Sequence, residues 1–175
     1  MRNLMKTTLA SLLSLSLLPT AASAYTVGAP FPGTVTAATY YSSGSFHGAI
    51  DLASGDGCGY WGVETAVQAS LAWTVNVRTT ARVCNGNGSG NQNEVRHTFS
   101  NGYTFRQWHF LYVAATSKSR TCDRCQVGDE GGTGNASGPH THMQYDKSGT
   151  NNTAWYSGTT KGKFLARDQK VGTVG

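Results

Sequence analysis

Nowhere after Tyr25 does the chain sustain the 3.6-residue apolar period of an amphipathic helix. Short runs of β-branched and aromatic residues instead alternate with clusters of Gly, Asn and Ser, which is the pattern of an all-β domain. The runs predict strands at Thr34 to Tyr41, Val67 to Thr79, Glu94 to Phe99, Tyr103 to Leu111 and His140 to Tyr145. Asn101-Gly102 stands between two of them and predicts a hairpin, because both residues tolerate positive φ. Asn85 to Asn93 is polar and Gly-rich and reads as a flexible loop, while Asp146 to Gly175 is polar with little pattern.

The first 24 residues read differently. Arg2 and Lys6 precede an apolar run, Leu9 to Leu18, and the stretch closes on Ala22-Ser23-Ala24. Those are the marks of a secretory signal peptide over residues 1–24, with the working domain over 25–175. The apolar run is shorter than the ~20 residues a membrane span needs, and no Cys follows it to carry a lipid anchor. Removing Arg2 and Lys6 changes 14 basic against 9 acidic residues to 12 against 9, a net of +3. The remaining Lys and Arg are scattered rather than gathered along a phosphate-tracking stripe, so nucleic acid is not an expected partner. In an oxidising compartment Cys58, Cys84, Cys122 and Cys125 are expected to form two disulfides, with all three connectivities open. Cys122 and Cys125 have no second close pair to complete a zinc knuckle.

The chemistry lies in the five histidines, His47, His97, His109, His140 and His142. In Gly138-Pro139-His140-Thr141-His142 the two imidazoles are two apart, and on a strand they share a face. His47 and Asp51 are four apart, which is ~13 Å along a straight strand at ~3.3 Å per residue. Two ligands of one zinc, each bound at ~2.0–2.2 Å, cannot lie so far apart. If both bind, the segment bends, and Gly48 supplies the freedom. Two histidines and an aspartate make a three-ligand set for a catalytic zinc, with the fourth position left for water.

The order His-x-x-x-Asp, a hairpin strand ending in Trp108-His109, then Gly-Pro-His-x-His resembles the lysostaphin and β-lytic type of zinc endopeptidases. The matching stretches are Phe46–Ala53, Gly62–Ala69, Asn101–Leu111 and Gly131–Tyr145. The resemblance implies a single all-β domain with a largely antiparallel sheet and an active-site groove across it. It implies one Zn2+ per chain held by His47, Asp51 and His142, with His140 as the base and His109 as a donor to the oxyanion. The implied function is hydrolysis of peptide cross-links in bacterial peptidoglycan by a secreted, monomeric enzyme with no stable membrane anchor.

The chain departs from the family pattern at Gly48, which directly follows the first ligand, at His109-Phe110-Leu111, and at Met143-Gln144 after the His-x-His pair. Tyr40 and Tyr41 precede His47 where a phenol can approach the zinc, although half-buried strand residues of this kind more often only pack. His97 reads as structural, and Trp61, Trp73 and Trp108 as core. Neither a nucleophile elbow nor a His-Glu-x-x-His helix is present. The alternative class is a catalytically inactive wall-binding or regulatory module of the same fold, which is expected to have lost at least one of the five groups.

Overall fold

The computed structural model describes residues 23–60, 62–88, 90–113, 117 and 123–175. Most of the expected leader, together with Trp61 and Cys122, lies outside the described residues. Seven strands occupy the first part of the chain: β1 Tyr25–Gly28, β2 Gly33–Ala37, β3 Ile50–Ala53, β4 Val63–Glu64, β5 Val67–Gln68, β6 Thr74–Asn76 and β7 Glu94–Thr98. Seven more follow: β8 Tyr103–Trp108, β9 Tyr112–Val113, β10 Gln126–Asp129, β11 Thr141–Lys147, β12 Thr150–Asn151, β13 Phe164–Leu165 and β14 Lys170–Val174. Among the described residues the one helical element is a 3-10 turn at Thr153–Trp155. The fold is all-β, and every strand pair among the described residues is antiparallel.

The main sheet runs β13-β2-β3-β11-β8-β7-β6, with β12 added beside β11, and two three-stranded sheets, β14-β1-β5 and β4-β10-β9, flank it. Along β11 the side chains alternate. Met143 and Tyr145 enter the apolar core with Ile50, Leu52 and Phe105, whereas His142, Gln144 and Asp146 form a buried polar row. Burying a side chain such as Phe105 or Met143 contributes ~1.5–3 kcal/mol each. Gln107, fully buried, joins the main sheet to a small one: its Oε1 accepts from Ala66 N at 2.8 Å and its Nε2 donates to Glu64 O at 2.8 Å.

Several expectations differ in detail, and the strand from Tyr103 ends at Trp108 rather than Leu111 because His109 turns to positive φ. Val67 to Thr79 is two strands rather than one, because its ends serve different sheets: β5 pairs with β1 and β6 with β7. Successive hydrogen bonds from Ala69 N to Val67 O and from Leu71 N to Ala69 O turn the chain between them. The second strand ends at Ala37 instead of Tyr41, after a register shift against β3 between Val35 and Ala37. The hairpin between β7 and β8 closes through three residues, with Gly102 N bonded to Phe99 O and Phe99 N to Tyr103 O. Only Gly102 takes positive φ there (83°), so Asn101 need not leave the right-handed region.

Cys58 and Cys84 form a disulfide, and Cys125 is disulfide-bonded as well. The bridge anchors the start of the 85–93 loop, whose Gly86 N also donates to Ala136 O.

Candidate metal centre

The centre is built across β3, β11 and the end of β8. Asp51 on β3 and His142 on β11 are direct cross-strand partners, and Trp108 on β8 stands opposite His142 on the other side. His47 reaches Asp51 because the chain bends at Gly48, where φ is 69° and the N–H groups of His47 and Gly48 both donate to Thr39 O. His140 precedes β11 and is held by its N–H to Gly131 O at 3.1 Å. His109 follows β8 in the left-handed region (φ 70°), a conformation uncommon for a residue with a Cβ, which ends the strand and brings the ring among the others.

The contacts are short. His47 Nε2 lies 3.2 Å from Asp51 Oδ1 and 3.1 Å from His142 Nδ1, and His142 Nδ1 lies 2.9 Å from Asp51 Oδ1. His140 Nε2 is 3.5 Å from the same Asp51 oxygen. The His109 ring sits 4.8 Å from that of His140 and 5.7 Å from that of His142, centroid to centroid. Two overlapping groups, His47/Asp51/His142 and His109/His140/His142, each offer ligand atoms within 4.8 Å of one another. His97 is elsewhere, buried against Trp73, with Nδ1 donating to Ala72 O at 3.0 Å.

The outer nitrogen of each imidazole shows which inner nitrogen is bare. Nδ1 of His47 donates to Ala38 O at 2.6 Å, Nδ1 of His109 to Thr133 O at 2.6 Å, and Nδ1 of His140 to Gly138 O at 2.9 Å. A backbone carbonyl only accepts, so these rings carry their proton outward and present Nε2 as a lone pair. His142 is reversed: Nε2–H donates to Gln144 Oε1 at 2.9 Å and Nδ1 faces inward. Lone pairs of two imidazoles and a carboxylate at 2.9–3.2 Å repel unless a cation lies among them. Donors on one tetrahedral zinc at ~2.0–2.1 Å sit ~3.3 Å apart, so this set fits such an ion.

Electrostatics favours the charged carboxylate. Burial alone pushes the Asp51 carboxyl up, but positive charge on the inward side of the site, which His142, His47 and His140 carry when doubly protonated, outweighs it and holds the carboxyl well below the carboxylate range. Burial also works against a charged His47, yet the hydrogen bond and charge of Asp51 raise its pKa. His109 goes the other way: burial first, then the charges of His140 and His142, lower it to about 3, so it is neutral near pH 7.

All five predicted groups therefore converge. Tyr41 lies against the site with its ring 4.4 Å from that of His47, whereas Tyr40 is exposed and packs edge-on to Phe46. Trp73 and Trp155 are core residues, but Trp108 is not. Its ring stacks flat on His142 at 4.5 Å with 5° between planes, because position 108 shares the site face of the sheet with 142. Sequence reasoning also missed Arg106, Gln144, Asp146 and Asn151, although the spacing 142-144-146 on one strand already puts those three on one face.

The sequence matches no family profile and no curated protein. Solved structures do resemble the fold. They include M23 peptidase domains and the SpoIIQ–SpoIIIAH pore-forming complex. The catalytic domain of the prophage-encoded M23 protein EnpA from Enterococcus faecalis superposes with a TM-score of 0.49 at 22% identity, over 75% of this chain and 100% of that one. The M23 metalloprotease pseudoalterin from the deep sea gives 0.47 at 16%, over 84% and 94%. Lysostaphin from Staphylococcus simulans gives 0.40 at 20%, over 74% and 50%. Likenesses this distant carry no functional argument, which rests on the residues themselves.

Proposed function

We propose that this chain is a secreted zinc endopeptidase that hydrolyses peptide cross-links of bacterial peptidoglycan. The observation that carries the metal-hydrolase reading is the convergence of three bare donor atoms, on His47, Asp51 and His142, beside two further imidazoles with bare Nε2 atoms. The peptidoglycan substrate is what the resemblance of these motifs to the lysostaphin and β-lytic zinc endopeptidases implies. Export follows the features of residues 1–24, and since β1 opens at Tyr25, cleavage after Ala24 leaves every described strand in place.

His47, Asp51 and His142 would hold the ion. A zinc ion held there would supply a water of pKa lowered toward ~7 and Lewis-acid polarisation of a carbonyl. The chain's own groups do the rest. His140 Nε2 accepts the proton of the attacking water and returns it to the leaving amine. His109 begins as an acceptor too, since its one proton is committed to Thr133 O. To donate to the developing oxyanion as a neutral ring it would have to carry that one proton on Nε2 instead, giving up the bond to Thr133 O. The stack of Trp108 on His142 covers one face of that ring and keeps water from it.

The test is zinc stoichiometry measured beside hydrolysis of purified walls, using protein that lacks residues 1–24. One zinc per chain is expected, lost with His142→Ala and retained with His140→Ala and His109→Ala. Activity is expected to fall by roughly 10²–10⁴-fold for a lost acid–base group. Zinc retained by His142→Ala, or unchanged hydrolysis by His140→Ala, contradicts the assignment.

A further inference from the structure

Three of the four imidazoles in the centre have their tautomer dictated by a backbone carbonyl, and His142 alone has it dictated by a side chain. That side chain, Gln144, could in principle turn either end of its amide toward His142. Its other contacts remove the choice. Gln144 Nε2 donates to Asp146 Oδ1 at 2.6 Å and also to Asn151 Oδ1. An ionised carboxylate accepts only, and Asn151 is oriented by its own Nδ2, which donates to His47 O at 3.4 Å. Both protons of the Gln144 amide are thus spent, and Oε1 has to face His142.

Asp146 is itself 2% exposed, a charge that needs compensation. Arg106 provides it from β8, with Nε 3.3 Å from Oδ2, an ion pair not aligned as a hydrogen bond. Arg106 also lies over the Trp108 ring, 5.4 Å from its centroid, on the indole that stacks on His142.

From this arrangement we infer that Gln144 is the positioning residue of the metal centre. Held by Asp146 and Asn151, it keeps the His142 proton on Nε2 and so turns Nδ1, rather than Nε2, into the metal ligand. The inference rests on the reading of His142 as a ligand. Without Gln144 Oε1, neutral His142 is free to carry its proton on Nδ1, the atom that must be bare. A neutral amide does this without adding a second negative charge beside Asp51, whereas Asp146 keeps its charge one residue pair further out, against Arg106.

The experiment is zinc affinity by chelator competition on the protein lacking residues 1–24, for wild type, Gln144→Leu, Gln144→Glu, Asp146→Asn, Gln144→Glu combined with Asp146→Asn, and His142→Ala. Nitrogen NMR of the zinc-loaded proteins would read the His142 ring. Gln144→Leu keeps the bulk and removes the acceptor, and is expected to bind zinc 10–100-fold more weakly, the usual loss for an outer partner of a ligating His. Its Nε2–H signal should lose its protection from exchange with water. Gln144→Glu restores an acceptor but sets a carboxylate against Asp146, so it should recover affinity only when combined with Asp146→Asn, whose amide can donate to it. Asp146→Asn should show a smaller loss, because the amide is then free to turn. Wild-type affinity in Gln144→Leu, with Nε2–H still protected, overturns the positioning role while leaving the metal site standing. No zinc in the wild type, or full binding by His142→Ala, overturns the metal reading and this inference with it.

Discussion

Replacing Gly48 by Ala would show how tightly the bend before Asp51 is constrained. Gly48 has φ 69°, and a Cβ there would lie 2.3 Å from Asn151 Nδ2 and 2.7 Å from the Phe46 ring. Ordinary contacts are ~3.5–4 Å, so those groups have to move by about an ångström. The left-handed backbone adds ~1–2 kcal/mol for a residue with a Cβ. Gly44, in the same loop, separates the two effects: its φ is 82°, yet nothing lies within 4 Å of its added Cβ. Gly44→Ala should therefore show the backbone term alone, a fall in Tm of ~2–4 °C per kcal/mol for a domain this size. Gly48→Ala should fall further and also lose at least ~10-fold in zinc affinity, because Asn151 touches both His47 O and Gln144. Thermal unfolding with and without zinc, together with chelator competition, reads both quantities. If the two variants match in Tm and in zinc affinity, the bend does not position His47.

Further outcomes can be checked separately. The Cys58–Cys84 bridge closes a loop with a sequence separation of 26, so the double Ser variant should lose ~3–4 kcal/mol in denaturant unfolding on the chain-entropy estimate. Buried His97, its pKa lowered from 6.5 to about 4, binds its proton more readily when unfolded. Stability should therefore fall as pH drops from about 6.5 toward 4, by up to about 3 kcal/mol, and His97→Phe should flatten that limb of the pH–stability curve. Saturating zinc at about 100 times Kd should stabilise the protein by ~2.7 kcal/mol, a gain absent in Asp51→Asn if Asp51 is a ligand.

The all-β class was legible because strands leave a period of two and turns leave Gly and Asn, both local signals. The five site groups stood out because histidine is scarce in this chain, and the bend at Gly48 followed from the reach of a zinc ligand. What escaped was set by sheet order, which no local pattern encodes. Trp108 reads as core until β8 is known to pair with β11, which puts it on the ring of His142. The split of Val67 to Thr79 depends on β1 returning to pair with β5, and the polar row of Gln144 and Asp146 gains meaning only from Arg106 on the neighbouring strand.

The pairing of His142 with Asp51 also bears on how the chain reaches its final form. A slip of β11 by one residue turns every side chain over, sending Met143 and Tyr145 to the polar side and His142, Gln144 and Asp146 into the apolar core. A slipped chain has no place for the ion, so it gains nothing from metal in solution. Divalent ion present during refolding should therefore raise the yield of correctly registered protein, selecting among sheet alignments before any substrate is met.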